Sequence, residues 1–422
     1  MTTSAPRVRA PKLPASARAA GGASEPAPVS GGIARITLGK VFTSESANYF
    51  LLLGTTLFLV VFGLVMVLSS SSVDSYLDNA GFFGGLLKQA FFAIVGIPLM
   101  LVVSRFPAKF WQRIAWPALG IADFLQFLVV FTPLGYTIAG NTNWLSIGGI
   151  QFQPSEMIKL ALVVWLGMIL QLKKDKLDDW RHVYIPVFGV GGGSVMLVML
   201  GGDLGTVMIM AAILFGALFF AGVRLRLMLA PLAVGLLGAG LMALTSSNRM
   251  TRILSFIGKG CEEVHGTISA ACWQPLHGTW ALANGGVFGV GLGNSKAKWS
   301  WLPAADNDYI FAIIGEELGL IGCIVVLLLF VILAIAFIRI LRSSASLQVQ
   351  VTCASVMVWI IGQALVNIAV VLGVFPVLGV PLPLISAGGT ALLTTLVAIG
   401  IVLSFARQPR RTRAAAEKAD AS

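Results

Sequence analysis

LPAADNDYIFAIIGEELG, Leu302 to Gly319, places Asp306 and Asp308 just ahead of an apolar run and Glu316 and Glu317 inside it. Carboxylates at such a boundary are either handles in water or parts of a site, and the chain around them decides which. That chain has 422 residues, 57% of them hydrophobic and only 11% charged, against roughly a quarter charged in soluble proteins. It reads as an all-α, polytopic membrane protein, with LPAADNDYIF at the point where a long connection meets a span.

A bilayer crossing takes about 20 apolar residues. Ten segments qualify: residues 47–69, 84–104, 112–133, 154–172, 183–201, 203–222, 226–245, 308–338, 349–373 and 386–406. Arg105, Lys109 and Arg113, the run KKDKLDDWR at 173–181, Arg224 with Arg226, and Arg339 with Arg342 all fall on the side of the two termini, whereas 134–153 carries no charge. The positive-inside rule then puts both termini in the cytoplasm. Residues 1–46, rich in Ala, Pro, Ser and Gly, are expected to be a disordered basic tail, 47–407 the membrane domain and 408–422 a second cytoplasmic tail. No charged start with a short apolar stretch and cleavage site opens the chain, so no removable signal peptide is expected. The formal charge of +11 sits in short clusters between apolar runs, which writes membrane orientation and attraction to membrane lipids rather than binding of nucleic acid.

One large outer connection, residues 246–307 between the seventh and eighth spans, carries Arg249, Arg252, Lys259, Glu262, Glu263, Lys296 and Lys298. Its Trp273, Trp280, Phe288, Trp299 and Trp301 let it pack and dip toward the membrane, so a partly ordered, partly re-entrant loop is expected. Cys261 and Cys272 lie in it and form a candidate disulfide outside the cytoplasm; Cys323 and Cys353 fall within spans as packing residues. His182, His265 and His277 are isolated, without zinc spacing. GVGGGSV at 189–195 and GVGLGNSK at 289–296 lack the phosphate-loop pattern and a preceding strand.

Charged side chains in spans are costly and face a bundle interior or cavity. In QPSEMIKLAL, Glu156 and Lys159 stand three apart on one helical face. They form a neutralised structural pair, or Lys159 lends its charge to an anion at the outer helix ends. Asp203 in GGDLGTV caps the next helix or belongs to the same site. An outward site without nucleotide needs a substrate that carries its own leaving group, such as a lipid pyrophosphate sugar, or else an ion gradient. The residues alone leave a transferase and a transporter level.

Three blocks break the tie: FQPSEMIKLAL at 152–162, NGGVFGVGLGNSKAKWSWLPAADNDYIFAIIGEELGLIG at 284–322, and QALVNIAVVLGVFPVLGVPLPLISAGGT at 363–390. Together, and in this order, they resemble the SEDS family of shape, elongation, division and sporulation proteins, from about residue 47 to 407. The resemblance implies ten spans and a peptidoglycan glycosyltransferase that polymerises lipid II on the outer face of the cytoplasmic membrane. It also implies a class B penicillin-binding protein as partner. The long basic tail and the cysteine pair look more like the division branch of high-GC Gram-positive bacteria than the elongation branch, which implies other divisome partners and a septal location. A lipid II flippase is the rival reading, and a non-catalytic scaffold a third.

The family's essential acidic residue lies in a pattern like LPEAHTDFIFA, which aligns with LPAADNDYIFA here and makes Asp308 the expected general base. Ala304, Asp306 and Asn307 depart from that pattern, and Asn143 stands where the family often has a basic residue before the Trp. Lys296, Lys298, Arg249 and Arg252, with Lys159, are candidate pyrophosphate contacts; Glu156, Asp203, Glu317 and Ser386 complete the candidate substrate site. A divalent cation, Mg or Mn, could bridge Asp308 or Asp306 to pyrophosphate, although no closed metal site is visible.

Overall fold

The computed structural model describes residues 46–79, 81–138, 141–147, 150–245, 247–258 and 270–407. The chain divides into two units, 1–44 and 45–422. The first unit, the expected C-terminal tail 408–422, and His265 and Cys261 of the large connection lie outside the described residues.

In chain order the helices are α1 (Ala47–Leu77), α2 (Gly84–Val103), α3 (Ala108–Phe131), α4 (Pro154–Leu172), α5 (Trp180–Leu200), α6 (Leu204–Phe220), α7 (Leu225–Thr245), α8 (Ser247–Phe256), α9 (Ala270–Gly285), α10 (Ile310–Arg342), α11 (Leu347–Val371) and α12 (Gly389–Ala406). Eight of them, α1 to α5 and α10 to α12, are long and apolar enough to cross a bilayer. The sixth and seventh expected spans fall on the shorter apolar stretches Leu204–Phe220 and Leu225–Gly238. The all-α architecture holds with one small addition: the uncharged connection 134–153 contains an antiparallel sheet of β1 (Gly135–Ile138), β2 (Asn141–Ile147) and β3 (Ile150–Phe152). β2 pairs with both neighbours, and Thr142 N–H donates to Gly201 O at 2.9 Å, tying the sheet to the end of α5.

The basic connections gather at one end of the bundle. Ser46 Oγ donates to Ala406 O, Arg407 to Tyr49 Oη and Ser104 O, and Gln348 Nε2 to Ala108 O, while Arg224 pairs with Asp178. The large connection lies at the opposite end, called here the loop end. α4 is the central strut, its side chains buried from Pro154 to Leu170 with few exceptions, and α12 is nearly as enclosed. α7 shows the reverse: Leu229, Val234, Leu236, Leu237 and Leu241 are exposed, as expected of a helix whose neighbour is lipid.

α10 is broken at Gly319, with φ 69° and ψ −166°. The break frees backbone groups that hydrocarbon could not satisfy, and the segment after α9 supplies their partners. Val290 N–H donates to Glu316 O at 2.9 Å and Gly291 N–H to Glu317 O at 3.0 Å, while Leu320 N–H donates to Gly286 O at 2.9 Å. Thus the segment after α9 packs backbone to backbone on α10. Glycine is required at the contact, because a Cβ on Gly319 would overlap Gly289 N and Val287 O, and one on Gly285 would overlap Gly315 O.

Gly319→Ala combines a left-handed φ with that overlap and is expected to cost about 1–3 kcal/mol. Its thermal midpoint in detergent should fall well below wild type, whereas Gly54→Ala, where a Cβ meets open space, should leave the midpoint unchanged.

Candidate functional site

The site grows from a segment that cannot be helical. VFPVLGVPLPLIS, residues 374–386, carries Pro376, Pro381 and Pro383, each removing an N–H donor and fixing φ. Its peptide groups therefore need outside partners, and uncharged side chains provide them. Gln363 Nε2 on α11 donates to Pro381 O at 2.9 Å. One turn on, Asn367 Nδ2 donates to Val380 O and to Asp308 O, both at 2.7 Å. Gln89 on α2 reads the far end, donating to Ser386 O at 3.0 Å and accepting from Gly388 N–H at 3.1 Å.

The same segment grips LPAADND. Ala387 N–H donates to Asp306 O at 2.9 Å, Ser386 Oγ to Asn307 O at 2.6 Å, and Asn367 to Asp308 O. Three consecutive carbonyls are thus held by three different donors. Asn307 and Tyr309 N–H both return to Ala304 O at 3.1 Å, closing a tight turn just before α10. Tyr309 then packs on Gly278 of α9, and its burial pushes the phenol up from its ordinary value.

Asp308 is half-buried, and its Oδ1 is enclosed without a hydrogen-bond partner. Burial raises its carboxyl to about 6; the Arg252 charge opposes the rise, and Asp203 and Asp306 add to it. A Cβ on Gly379 would stand 3.6 Å from Asp308 Oδ2, so the proline-rich segment forms the wall facing that oxygen. Beside it a cavity of about 160 Å³ is lined by Asn141, Gly202, Arg249, Arg252 and the Pro376–Leu378 turn. Arg249 Nη2 donates to Gly202 O at 2.8 Å and Arg252 Nη1 to Val377 O at 3.4 Å, which lays α8 across this cavity. Asp306 lies on the other flank near Asp74 and Lys88, its carboxyl raised chiefly by burial.

The structure brings Asp308, Arg252, Arg249, Asp203 and Ser386 to one region and gives the other candidates different surroundings. Asp203 caps α6, accepting from Thr206 N–H at 2.9 Å and Thr206 Oγ1 at 2.7 Å; burial raises its carboxyl and these bonds oppose the rise. Glu156 and Lys159 are 3% and 1% exposed and meet at 2.7 Å. Lys159 Nζ also donates to Gln363 Oε1 at 3.1 Å and sits 5.0 Å from the Trp359 ring centroid. Its charge is therefore spent inside the bundle, on the residue that holds Pro381.

Lys298 is buried, donating to Gly293 O at 2.6 Å and pairing with Glu317 at 3.4 Å, while Ser69 Oγ donates to both Glu317 oxygens. Glu316 accepts from Asn284, the Ser295 hydroxyl, and the N–H groups of Lys296 and Ala297. Both glutamates thus staple the 286–298 segment to α10. Lys296 is exposed in a cleft with Trp280, Trp301 and His277, on the α9 side of Tyr309. Cys272 is disulfide-bonded, and Cys323 and Cys353 are free and buried.

Among the described residues no group of three His, Cys, Asp or Glu side chains gathers to hold a metal. A separate apolar groove of about 490 Å³ runs between α3, α4 and α12, lined by Trp111, Met157, Leu160, Val164, Leu393 and Val397. Sequence reasoning passed over Gln89, Gln363 and Asn367. The signal was there, since Gln363 and Asn367 are four apart, on one face of an otherwise apolar span.

A family model for cell cycle proteins, FTSW_RODA_SPOVE, matches residues 49–411. The probable peptidoglycan glycosyltransferase FtsW of Mycobacterium tuberculosis is 36% identical over 370 residues, covering 88% of this chain and 69% of that protein. Stage V sporulation protein E of Bacillus subtilis is 32% identical over 370 residues, covering 87% and 99%. Among solved structures, the rod shape determining protein RodA of Thermus thermophilus superposes with a TM-score of 0.63 at 23% identity over 87% of this chain and 98% of that one. A chain from a peptidoglycan synthase complex, described for its coordination of polymerization and crosslinking, gives 0.68 at 22% identity over 85% and 97%.

Removing one member of a buried ion pair strands the other, at about 3–5 kcal/mol, whereas replacing both with uncharged groups of similar volume is near neutral. Lys159→Met and Glu156→Gln singly should each lower the thermal midpoint, and the double variant should recover most of the loss. Singles as stable as wild type would contradict the closed pair.

Proposed function

The chain belongs to the family of cell cycle proteins that contains FtsW, RodA and stage V sporulation protein E, and from that premise we propose that it is a peptidoglycan glycosyltransferase of cell division. It joins lipid II units into glycan strands at the outer face of the cytoplasmic membrane. The observation that carries the assignment to a site is Asp308: a carboxylate with an unpartnered buried oxygen and an arginine charge beside it, fixed at the loop end by its own backbone.

In the reaction a sugar hydroxyl of one lipid-linked disaccharide attacks the anomeric carbon of the other. The new glycosidic C–O bond forms as the bond to the lipid pyrophosphate breaks, and the hydroxyl proton passes to Asp308. A base with a value near 6 is charged at neutral pH yet basic enough to accept that proton. Arg252 and Arg249, across the adjoining cavity, stabilise the departing pyrophosphate. The residues present offer a divalent cation one carboxylate without hydrogen bonds, Asp308, so Mg or Mn would be held mostly by substrate oxygens. The groove between α3, α4 and α12 is apolar enough for a prenyl chain.

The charge asymmetry supports an outward loop end with both termini in the cytoplasm. The partner is a class B penicillin-binding protein, which crosslinks the strand this chain makes; the structural neighbour from a synthase complex that coordinates the two activities supports that pairing. The mycobacterial relative favours the division branch and a septal location over the elongation branch. Transport of lipid II has less support, because Glu156 and Lys159, the charges it would use, are closed on each other.

With purified lipid II and the class B partner, wild type should make polymer at a rate that climbs as pH rises through about 6, and Asp308→Asn should lose about 10²-fold or more. Equal rates for the two proteins would sink the role of Asp308. Movement of labelled lipid II across vesicles by both, with no polymer from either, would replace the polymerase by a transporter.

A further inference from the structure

Asp308 is held by its peptide rather than its carboxylate. Its buried Oδ1 has no hydrogen bond, while its carbonyl shares one donor group with Val380. That donor, Asn367 Nδ2, is buried in α11, 2% exposed. The two carbonyls converge on it from the two segments that enclose the site, the one bearing the acid and the one whose Gly379 forms the facing wall. Without the amide, two carbonyl oxygens would face each other with no hydrogen between them, and buried acceptors left unpaired drive local opening. We propose that Asn367 is a positioning residue for glycosyl transfer, setting the distance between the Asp308 carboxylate and the proline-rich wall through paired bonds to Asp308 O and Val380 O. The inference rests on the assignment of Asp308 as the base.

Gln363 and Gln89 extend the same device. Gln363 holds the next carbonyl, Pro381 O, and is itself held by Lys159 and by Trp359 Nε1 at 3.1 Å. Gln89 brackets the far end at Ser386 and Gly388. The effect of loss should therefore grade with closeness to Asp308, greatest at Asn367 and smaller at Gln363 and Gln89.

The frame's composition makes its role measurable. The groups that act electrostatically on Asp308 are Arg252 from α8, Asp203 at the start of α6 and Asp306 on its own segment; Tyr309 adjoins it in sequence. Neither α11 nor residues 374–388 carries a charged side chain. Loosening Asn367 changes the placement of Asp308 without changing any charge near it. A change of rate in an Asn367 variant therefore reports a change in the placement of the acid rather than in the charges around it.

The experiment compares wild type, Asp308→Asn, Asn367→Ala and Asn367→Ser, each purified with the class B partner, in the kcat and KM of lipid II polymerisation at neutral pH, with thermal midpoints and folded fractions measured alongside. For Asn367→Ala we expect kcat per folded protein about 10²-fold down, as for a misplaced catalytic group, with KM for lipid II within about threefold. Asn367→Ser, with one short donor, should fall between. A kcat per folded protein equal to wild type, or a loss that falls on KM instead of kcat, overturns the inference. If neither Asn367 variant folds, Gln89→Met carries the same comparison with the same criteria. Full polymerisation by Asp308→Asn would instead remove the base itself and take the inference with it, an outcome distinct from an unchanged kcat in the Asn367 variants alone.

Discussion

Three consecutive peptide carbonyls, those of Asp306, Asn307 and Asp308, are each held by a different donor: a backbone N–H, a serine hydroxyl and an asparagine amide. The rest of the loop end depends on that constraint. An acid that must be partly dry to be a base near neutral pH cannot also be anchored through its own oxygens, because each such bond would favour the charged form and pull its value down. On the proposed assignment of Asp308, holding the peptide leaves the carboxylate open to substrate. The donors in turn must be fixed, which explains why the bundle places neutral amides on α2 and α11 and stations a buried lysine behind one of them.

The membrane accounts for the second layer of the architecture. A non-helical segment enclosed by apolar helices survives only if its peptide groups find partners within the protein, and this fold solves that problem twice. Proline-rich residues 374–386 are satisfied by side-chain amides, whereas the glycine-rich return after α9 is satisfied by the broken turn of α10, backbone on backbone. Glu316 and Glu317 belong to the second solution. They sit only eight and nine residues beyond Asp308 yet serve the glycine-rich return, which puts Lys298 with them and leaves Arg252 beside Asp308.

Much of this was legible in the sequence, and the failures have physical causes. Apolar run lengths located the helices, eight of which are long enough to cross a bilayer, and the spacing of Glu156 and Lys159 revealed a shared face. The destination of Lys159, Gln363, could not be read, since it lies 204 positions away. Lys298 looked like a free cation because its loop sequence gives no sign that Gly293 and Glu317 enclose it. The sheet at 135–152 was missed although NTNWLSI is a short run bounded by glycines, a hairpin signal that a search for spans does not weigh. Asn367 was passed over because an uncharged amide raises no alarm in a hydropathy reading, although its unmet hydrogen bonds in lipid would be expensive.

The most direct measurement of the central claim is a structure of the chain with its class B partner and a non-reactive lipid II analogue, resolved well enough to place the sugars and the pyrophosphate. The account predicts an acceptor hydroxyl within hydrogen-bond distance of an Asp308 carboxylate oxygen, the pyrophosphate against Arg252, and Asn367 still bridging the carbonyls of Asp308 and Val380. An analogue whose pyrophosphate lies inside the bundle against Lys159, with Asp308 remote from any sugar, would contradict it.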